Sequence, residues 1–174
     1  METISFVLSA AGLLSFIIAN FIKGRRMGLI LALNALGNLL MAASYISVSN
    51  ANGALSSIVG TVTGIINYFF AIREKKVPVW LLFVYAAAFA CVNLMVFSRW
   101  VDLVALIASL TAVMVISAAN GKQYRAWALG NNCLWCLFDI LRGNFGPLIS
   151  HLSLAGFTFA GMLIHDIRKP IKKQ

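Results

Sequence analysis

The chain has 174 residues, 61% of them hydrophobic and 11% charged, with a formal charge of +9. A soluble domain is nearer one-quarter charged, and 14 basic and 5 acidic side chains cannot cover an aqueous surface of this size. A soluble globular domain is therefore excluded, and so is a nucleic-acid-binding one, because the positive charge comes with no basic groove or aromatic–basic motif.

Seven apolar runs follow one another, at about 4–22, 27–48, 54–72, 79–97, 101–119, 124–141 and 147–165. A span across a hydrocarbon core of roughly 30 Å needs about 20 apolar residues. The runs are continuously apolar rather than alternating with period two, so they read as helices and not as barrel strands. The expected fold class is an all-α membrane protein of seven transmembrane helices.

The first run, 4–22, carries Glu2 and no basic residue ahead of it, and its positive cluster comes after it. It reads as an anchor with a translocated N-terminus, not as a cleavable signal. The loops are short: Lys23–Arg26, Ser49–Gly53, Arg73–Pro78, Ser98–Trp100, Asn120–Gln123 and Arg142–Gly146. Such loops force consecutive helices to lie antiparallel and adjacent. Pro78 and Pro147 suit the first turn of a helix, where a missing N–H costs nothing.

Twelve of the fourteen Lys and Arg then fall on one side of the bilayer, at Lys23, Arg25, Arg26, Arg73, Lys75, Lys76, Lys122, Arg125, Arg168, Lys169, Lys172 and Lys173. Only Arg99 and Arg142 fall on the other. Cytoplasmic loops hold the Lys and Arg excess, so the expected topology has its N-terminus outside and its C-terminus cytoplasmic. The partner implied is the lipid bilayer, with the basic clusters against anionic headgroups.

The two ends of the chain share a design. Asn34 falls on Asn131 at a shift of 97, Gly53-Ala54-Leu55-Ser56-Ser57 resembles Gly146-Pro147-Leu148-Ile149-Ser150, and Ala71-Ile72-Arg73 resembles Asp166-Ile167-Arg168. Residues 1–76 and 100–174 read as two three-helix units in one orientation. Since three is odd, a linker helix within 77–99 is needed to bring the second unit back in parallel. Its run has Asn93 as its one strongly polar interior group. All of this is one integral membrane domain, 1–174.

That 3+1+3 layout, the outside N-terminus and the segment Asn131-Asn132-Cys133-Leu134-Trp135-Cys136-Leu137-Phe138-Asp139 resemble the SWEET and PQ-loop superfamily. Nicotinamide riboside transporters of the PnuC type share the layout. The chain resembles more closely the YgjV-type bacterial inner-membrane proteins, which have similar length, basic turns, a Trp in the sixth span and a short Gly-containing turn before the seventh. The resemblance implies a cell inner (plasma) membrane location. It also implies that Trp135, and Asn67 on the third span, contribute to a solute pocket. The Pro-Gln dipeptide of PQ-loop proteins is absent, and the first, second, fifth and sixth spans contain no Pro. A hinge there would fall to glycines such as Gly12, Gly37 and Gly130.

Polar groups inside hydrocarbon are functional candidates. Asn34 and Asn38 share one face of the second span. Asn131, Trp135 and Asp139 share one face of the sixth, with Asn132 beside them. An aromatic face with amides that both donate and accept suits a small polar solute such as a sugar, nucleoside or vitamin. The bland alternative for the same amides is glue between helices, at about 0.6–2 kcal/mol each. Asp139, Arg142 and His151 are candidates for an ion-paired outer gate, against the alternative that Asp139 neutralises Arg142 at the interface. His165 and Asp166 read as interfacial groups beside Arg168.

Ser56, Gly60 and Gly64 on the third span, and Gly156 and Ala160 on the seventh, recur every four residues and let backbones approach. Packing within each unit is expected, with a homodimer seam as the alternative. Cys133 and Cys136 form a C-x-x-C lying mid-helix, which reads as packing rather than as redox or metal chemistry. No catalytic set, metal-ligand cluster or phosphate-binding loop is apparent, so neither an enzyme nor a cofactor is expected. The functional expectation is a carrier or facilitator of a small polar solute. The alternative is a non-transporting membrane protein, namely a sensor, an assembly factor or a partner subunit.

Overall fold

A computed structural model describes residues 2–23, 26–47, 51–143 and 145–167. They form seven α-helices: α1 (Glu2–Phe21), α2 (Met27–Ser47), α3 (Ala51–Ile72), α4 (Val79–Met95), α5 (Asp102–Ile116), α6 (Gly121–Arg142) and α7 (Phe145–Met162). A single π-helical turn, Leu163–Ile167, extends α7. There is no strand among the described residues. Basic residues Arg25, Arg168, Lys169, Lys172 and Lys173 lie outside them.

Four segments are long and apolar enough to cross a membrane: Thr3–Phe21, Met27–Ser47, Gly53–Ile72 and Leu148–Asp166. The runs at 79–97 and 101–119 are apolar but give helices of only 17 and 15 residues. At 1.5 Å per residue, 15 residues reach about 22 Å. The shortening has local causes. Oδ2 of Asp102 accepts from the backbone N–H groups of Ser98 and Arg99, both at 2.8 Å, which holds a turn ahead of α5. At the other end, Oδ1 of Asn120 accepts from the Gln123 N–H at 3.0 Å, while Oε1 of Gln123 accepts from the Ala119 N–H at 3.1 Å. This reciprocal cap starts α6 at Gly121 and so stops α5 early. Gly143 ends α6 with φ +70°, the left-handed conformation that glycine tolerates.

The large side chains on the outside of the bundle are apolar. Phe6, Leu39, Phe83, Met95, Ile149 and Leu152 are among the most exposed. An apolar exterior is stable only against lipid, as the composition requires.

α2 packs most extensively on α3 and α1, and α6 on α7 and α5. Two lesser contacts, α1 with α7 and α3 with α5, close the six helices into a ring. α4 covers the seam between α3 and α5 through Leu81, Tyr85 and Phe89, which pack on Val113 and Ile116 of α5 and on Val59, Ile66 and Phe70 of α3. The α1–α2 crossing is close. A Cβ on Gly12 would stand 3.1 Å from the Gly37 carbonyl oxygen, and one on Gly37 would meet the Phe16 ring at 2.8 Å. These two glycines are packed at a crossing, while Gly130 has open space around it.

Small residues at four-residue spacing do bring α3 onto α2, with Gly60 against Asn38 and Gly64 against Ala35. The α7 stripe does not behave the same way. Gly156 is exposed and meets nothing within 4 Å, so it makes no close helix contact among the described residues. The C-x-x-C is likewise not internal packing: Cys133 is exposed, Cys136 half-buried, and both are free thiols.

Candidate functional site

The ring encloses a cavity of about 490 Å³ to which all seven helices contribute. α6 supplies most of its wall because its polar residues recur at the helical period. Arg125, Asn132 and Asp139 lie seven apart and are all buried, and Tyr124, Ala128, Asn131 and Trp135 flank them. Six of those seven line the cavity; Arg125 lies outside the lining.

The two ends differ. At the end bearing Lys23, Arg26, Lys75 and Lys122 (the basic end), the lining residues Asn20, Asn34, Val115, Ile116 and Tyr124 are all buried. They rest on an apolar floor of Ala19, Ile30, Val115, Tyr124 and Ala128, drawn from α1, α2, α5 and α6. At the opposite end the lining includes Arg99, which is exposed, and Arg142 at 24% exposure. The cavity is closed toward the basic end and reaches the surface at the other.

At the open end an aromatic and ionic wall is built from α5, α6 and α7. The Trp135 indole stacks on the His151 ring, with centroids 5.7 Å apart and planes at 17°, and stands edge-on to Phe138 at 5.6 Å. His151 Nδ1 lies 2.7 Å from Asp139 Oδ2. Arg142 does not pair with Asp139; its Nη2 donates to Asp102 Oδ1, and its guanidinium carbon lies 5.6 Å from the centre of the Phe138 ring. The three residues expected at an outer gate are thus together, but as two separate pairs with Asp102 added. Asp102 had no signal beyond being an acid at the head of an apolar run.

Asn34, Asn38, Asn131 and Asn132 all line the cavity, yet they are bound differently. Asn131 Nδ2 donates to the Ala108 carbonyl at 2.5 Å and to Thr111 Oγ1 at 2.9 Å, which ties α6 to α5. Asn38 Nδ2 donates to the Asn34 carbonyl at 2.9 Å and to Asn34 Oδ1 at 3.1 Å. Asn34 Nδ2 in turn donates to the Tyr124 hydroxyl at 3.3 Å. Asn132, at 9% exposure, makes no side-chain hydrogen bond to any described residue, and neither does the Trp135 indole N–H. Ser56 Oγ and Arg142 Nε, on two further lining residues, are buried without a partner among the described residues.

Asn67 is placed elsewhere. Its Nδ2 donates to the Ile116 carbonyl at 2.5 Å and its Oδ1 accepts from the Tyr85 hydroxyl at 2.8 Å, so it joins α3 to α5 and α4 and does not line the cavity. It is the right helix at the wrong height, near the basic end of α3.

Asp166 is not a loose interfacial group. It is 6% exposed and forms a two-pronged ion pair with Arg125, Nε to Oδ2 at 2.8 Å and Nη2 to Oδ1 at 2.6 Å. Arg125, at 2% exposure, reads in the sequence as one more loop charge; its seven-residue spacing from Asn132 and Asp139 is the signal that it faces inward. His165 Nε2 lies 3.0 Å from the Phe21 carbonyl oxygen.

The arrangement offers a solute unspent donors and acceptors beside an aromatic surface. Among the described residues no group of His, Cys, Asp or Glu is placed to hold a metal ion. No protein-family model, curated protein or solved structure matches the chain.

Proposed function

We propose that this chain is a carrier or facilitator for a small, uncharged polar solute of sugar, nucleoside or vitamin-like chemistry, acting in a bacterial inner membrane with its N-terminus outside. The observation that carries the reading is Asn132. Its side-chain amide lines the cavity beside the Trp135 indole and makes no hydrogen bond to a described residue, so its donors and acceptor are open to a solute. An uncharged solute suits the wall around Asn132, where the neighbouring lining groups are the Asn131 amide and the Trp135 and Phe138 rings.

The mechanism is rocking of two three-helix units, α1–α3 and α5–α7, about the cavity. Under a two-fold axis along the membrane normal, α1 takes the place of α5 and α7 that of α3. The α1–α7 and α3–α5 contacts are then equivalent seams, and both are present and lesser than the contacts inside each unit. The two-unit arrangement is the one that the resemblance of the sequence layout to the SWEET, PnuC-type and YgjV-type proteins implies. The rival reading, a sensor, assembly factor or partner subunit, draws support from Asn34, Asn38 and Asn131, whose amides bond to the protein itself as helix glue does.

A thermal-shift screen of purified protein against sugars, nucleosides, vitamins and amino acids tests the proposal. A ligand at 100 times its Kd stabilises the folded state by about 2.7 kcal/mol. The expected result is a hit that is lost in both Asn132→Ala and Trp135→Ala. A broad panel without a shift, or a hit that survives both substitutions, favours the rival and directs the search to co-purifying proteins.

A further inference from the structure

The hydrogen bonds described between the two three-helix units lie toward one end. Among the described residues they are Asn34 with Tyr124, Asn67 with the Ile116 carbonyl, Arg125 with the Asn20 and Ile22 carbonyls, and His165 with the Phe21 carbonyl. At the opposite end the Asp102–Arg142 ion pair and the Asp139–His151 hydrogen bond both lie inside the second unit, and the Ser5–Ser44 and Ser9–Ser44 bonds lie inside the first. The hydrogen bonds described between the units gather at the basic end, while at the open end Asp139 reaches Tyr45 of the first unit only through its charge.

We infer that Arg125, held by Asp166, is the latch of an inner gate that keeps the cavity shut toward the basic end. This rests on the carrier reading above. Arg125 and Asp166 both belong to the second unit, on α6 and on the turn after α7. The ion pair therefore need not break when the units separate. It fixes the guanidinium so that Nη1 reaches two carbonyl oxygens at the C-terminal end of α1, each at 3.4 Å. Those carbonyls are the negative end of the α1 dipole, a natural seat for a cation. The bonds to them are long, and together with the His165 contact they are what opening must release.

The fit beneath the latch is close. A Cβ on Gly161 would stand 2.8 Å from the Asn20 carbonyl oxygen and 3.3 Å from Arg125 Cδ, so α7 meets α1 without a gap. Splitting the pair itself is far costlier, since either partner alone is a buried charge without compensation. The latch is thus a rigid two-residue unit with a releasable contact. Asp166 is its positioning residue.

Side-specific labelling tests this. In a background with Cys91, Cys133 and Cys136 replaced by Ser, Ala128→Cys places a thiol at the closed end of the cavity lining. A membrane-impermeant maleimide is applied from either face in right-side-out and inverted vesicles. With the latch intact, labelling is expected from the face bearing Arg99 and not from the basic face. Arg125→Gln and Asp166→Asn should each raise the basic-face rate about tenfold or more, with Arg125→Lys lying between them and the parent because it keeps the charge but loses the fork.

Basic-face labelling of the unaltered latch overturns the inference, and so do folded variants with unchanged rates. If neither variant folds, the intact-latch measurement decides alone. Labelling needs no solute. A gate that switches in a protein that no solute stabilises keeps the latch and removes the carrier reading; solute binding with a fixed labelling pattern does the reverse.

Discussion

Asn34 and Tyr124, 90 residues apart, meet through a 3.3 Å hydrogen bond that joins α2 to α6 across the floor of the cavity. Both are buried. Tyr124→Phe leaves the ring in place and removes only the hydroxyl, so Asn34 Nδ2 loses its acceptor. The expected cost is about 1–2 kcal/mol, read as a lower melting temperature in detergent. A double-mutant cycle with Asn34→Ala should give a coupling clearly above zero; additive single effects would mean that the bond contributes nothing.

Adjacent amides separate glue from solute contact. Asn131→Ala breaks two hydrogen bonds to α5 and should destabilise the bundle by about 1–2 kcal/mol. Asn132→Ala breaks none to the described residues and should leave the stability of the empty protein within about 0.5 kcal/mol of the parent. Equal losses of stability in both variants would place Asn132 among the structural amides.

The α1–α2 crossing gives a test on glycines. Gly37→Ala puts a methyl group 2.8 Å from the Phe16 ring, and Gly12→Ala puts one 3.1 Å from a backbone carbonyl that cannot swing away. Overpacking of this kind costs about 1–3 kcal/mol. Gly130→Ala, with nothing within 4 Å, should instead gain up to about 1 kcal/mol from helix propensity. Tolerance of alanine at Gly37 would show that α1 and α2 can slide apart there.

Removing Asp102 should be the most damaging single change at the open end. Its carboxylate is 3% exposed and serves both the Ser98–Arg99 turn and Arg142. Asp102→Ala strands the half-buried Arg142 cation and should cost about 3 kcal/mol or more. Adding Arg142→Leu removes the stranded charge and should recover part of that loss. A double variant no more stable than Asp102→Ala alone would assign the damage to the lost turn.

Glu74 offers a stabilising change. It is a non-glycine residue with φ +53°, in the turn where the Lys75 N–H reaches back to the Phe70 carbonyl at 3.0 Å. The left-handed conformation costs an L-residue about 1–2 kcal/mol. Glu74→Gly relieves that strain and should raise the melting temperature; a fall would mean that the added freedom of the unfolded chain outweighs the relief.

Much of the helix order was legible because membrane-length apolar runs and glycine- or proline-marked turns are local signals. α1, α2 and α3 begin and end within a few residues of the expected runs. The α4 and α5 lengths were not legible, since a carboxylate and an amide that cap a turn leave hydropathy unchanged. The α6 face was partly legible: Asn131, Trp135 and Asp139 were grouped by their spacing of four. Arg125 was missed because a basic residue near a loop reads the same whether it faces lipid headgroups or the interior.

By itself the sequence determined the bundle of seven helices, the basic end and the polar face of α6. Backbone groups in hydrocarbon must bond within their own helix, which makes such features properties of single segments. Only the tertiary structure decided the partners. It set Arg142 on Asp102 instead of Asp139, Asn67 on Ile116 and Tyr85 instead of the cavity, and Arg125 on Asp166 and the end of α1. Each of these choices depends on the height and rotation at which two helices meet. Close packing between distant segments sets that geometry, and no single run of residues contains it.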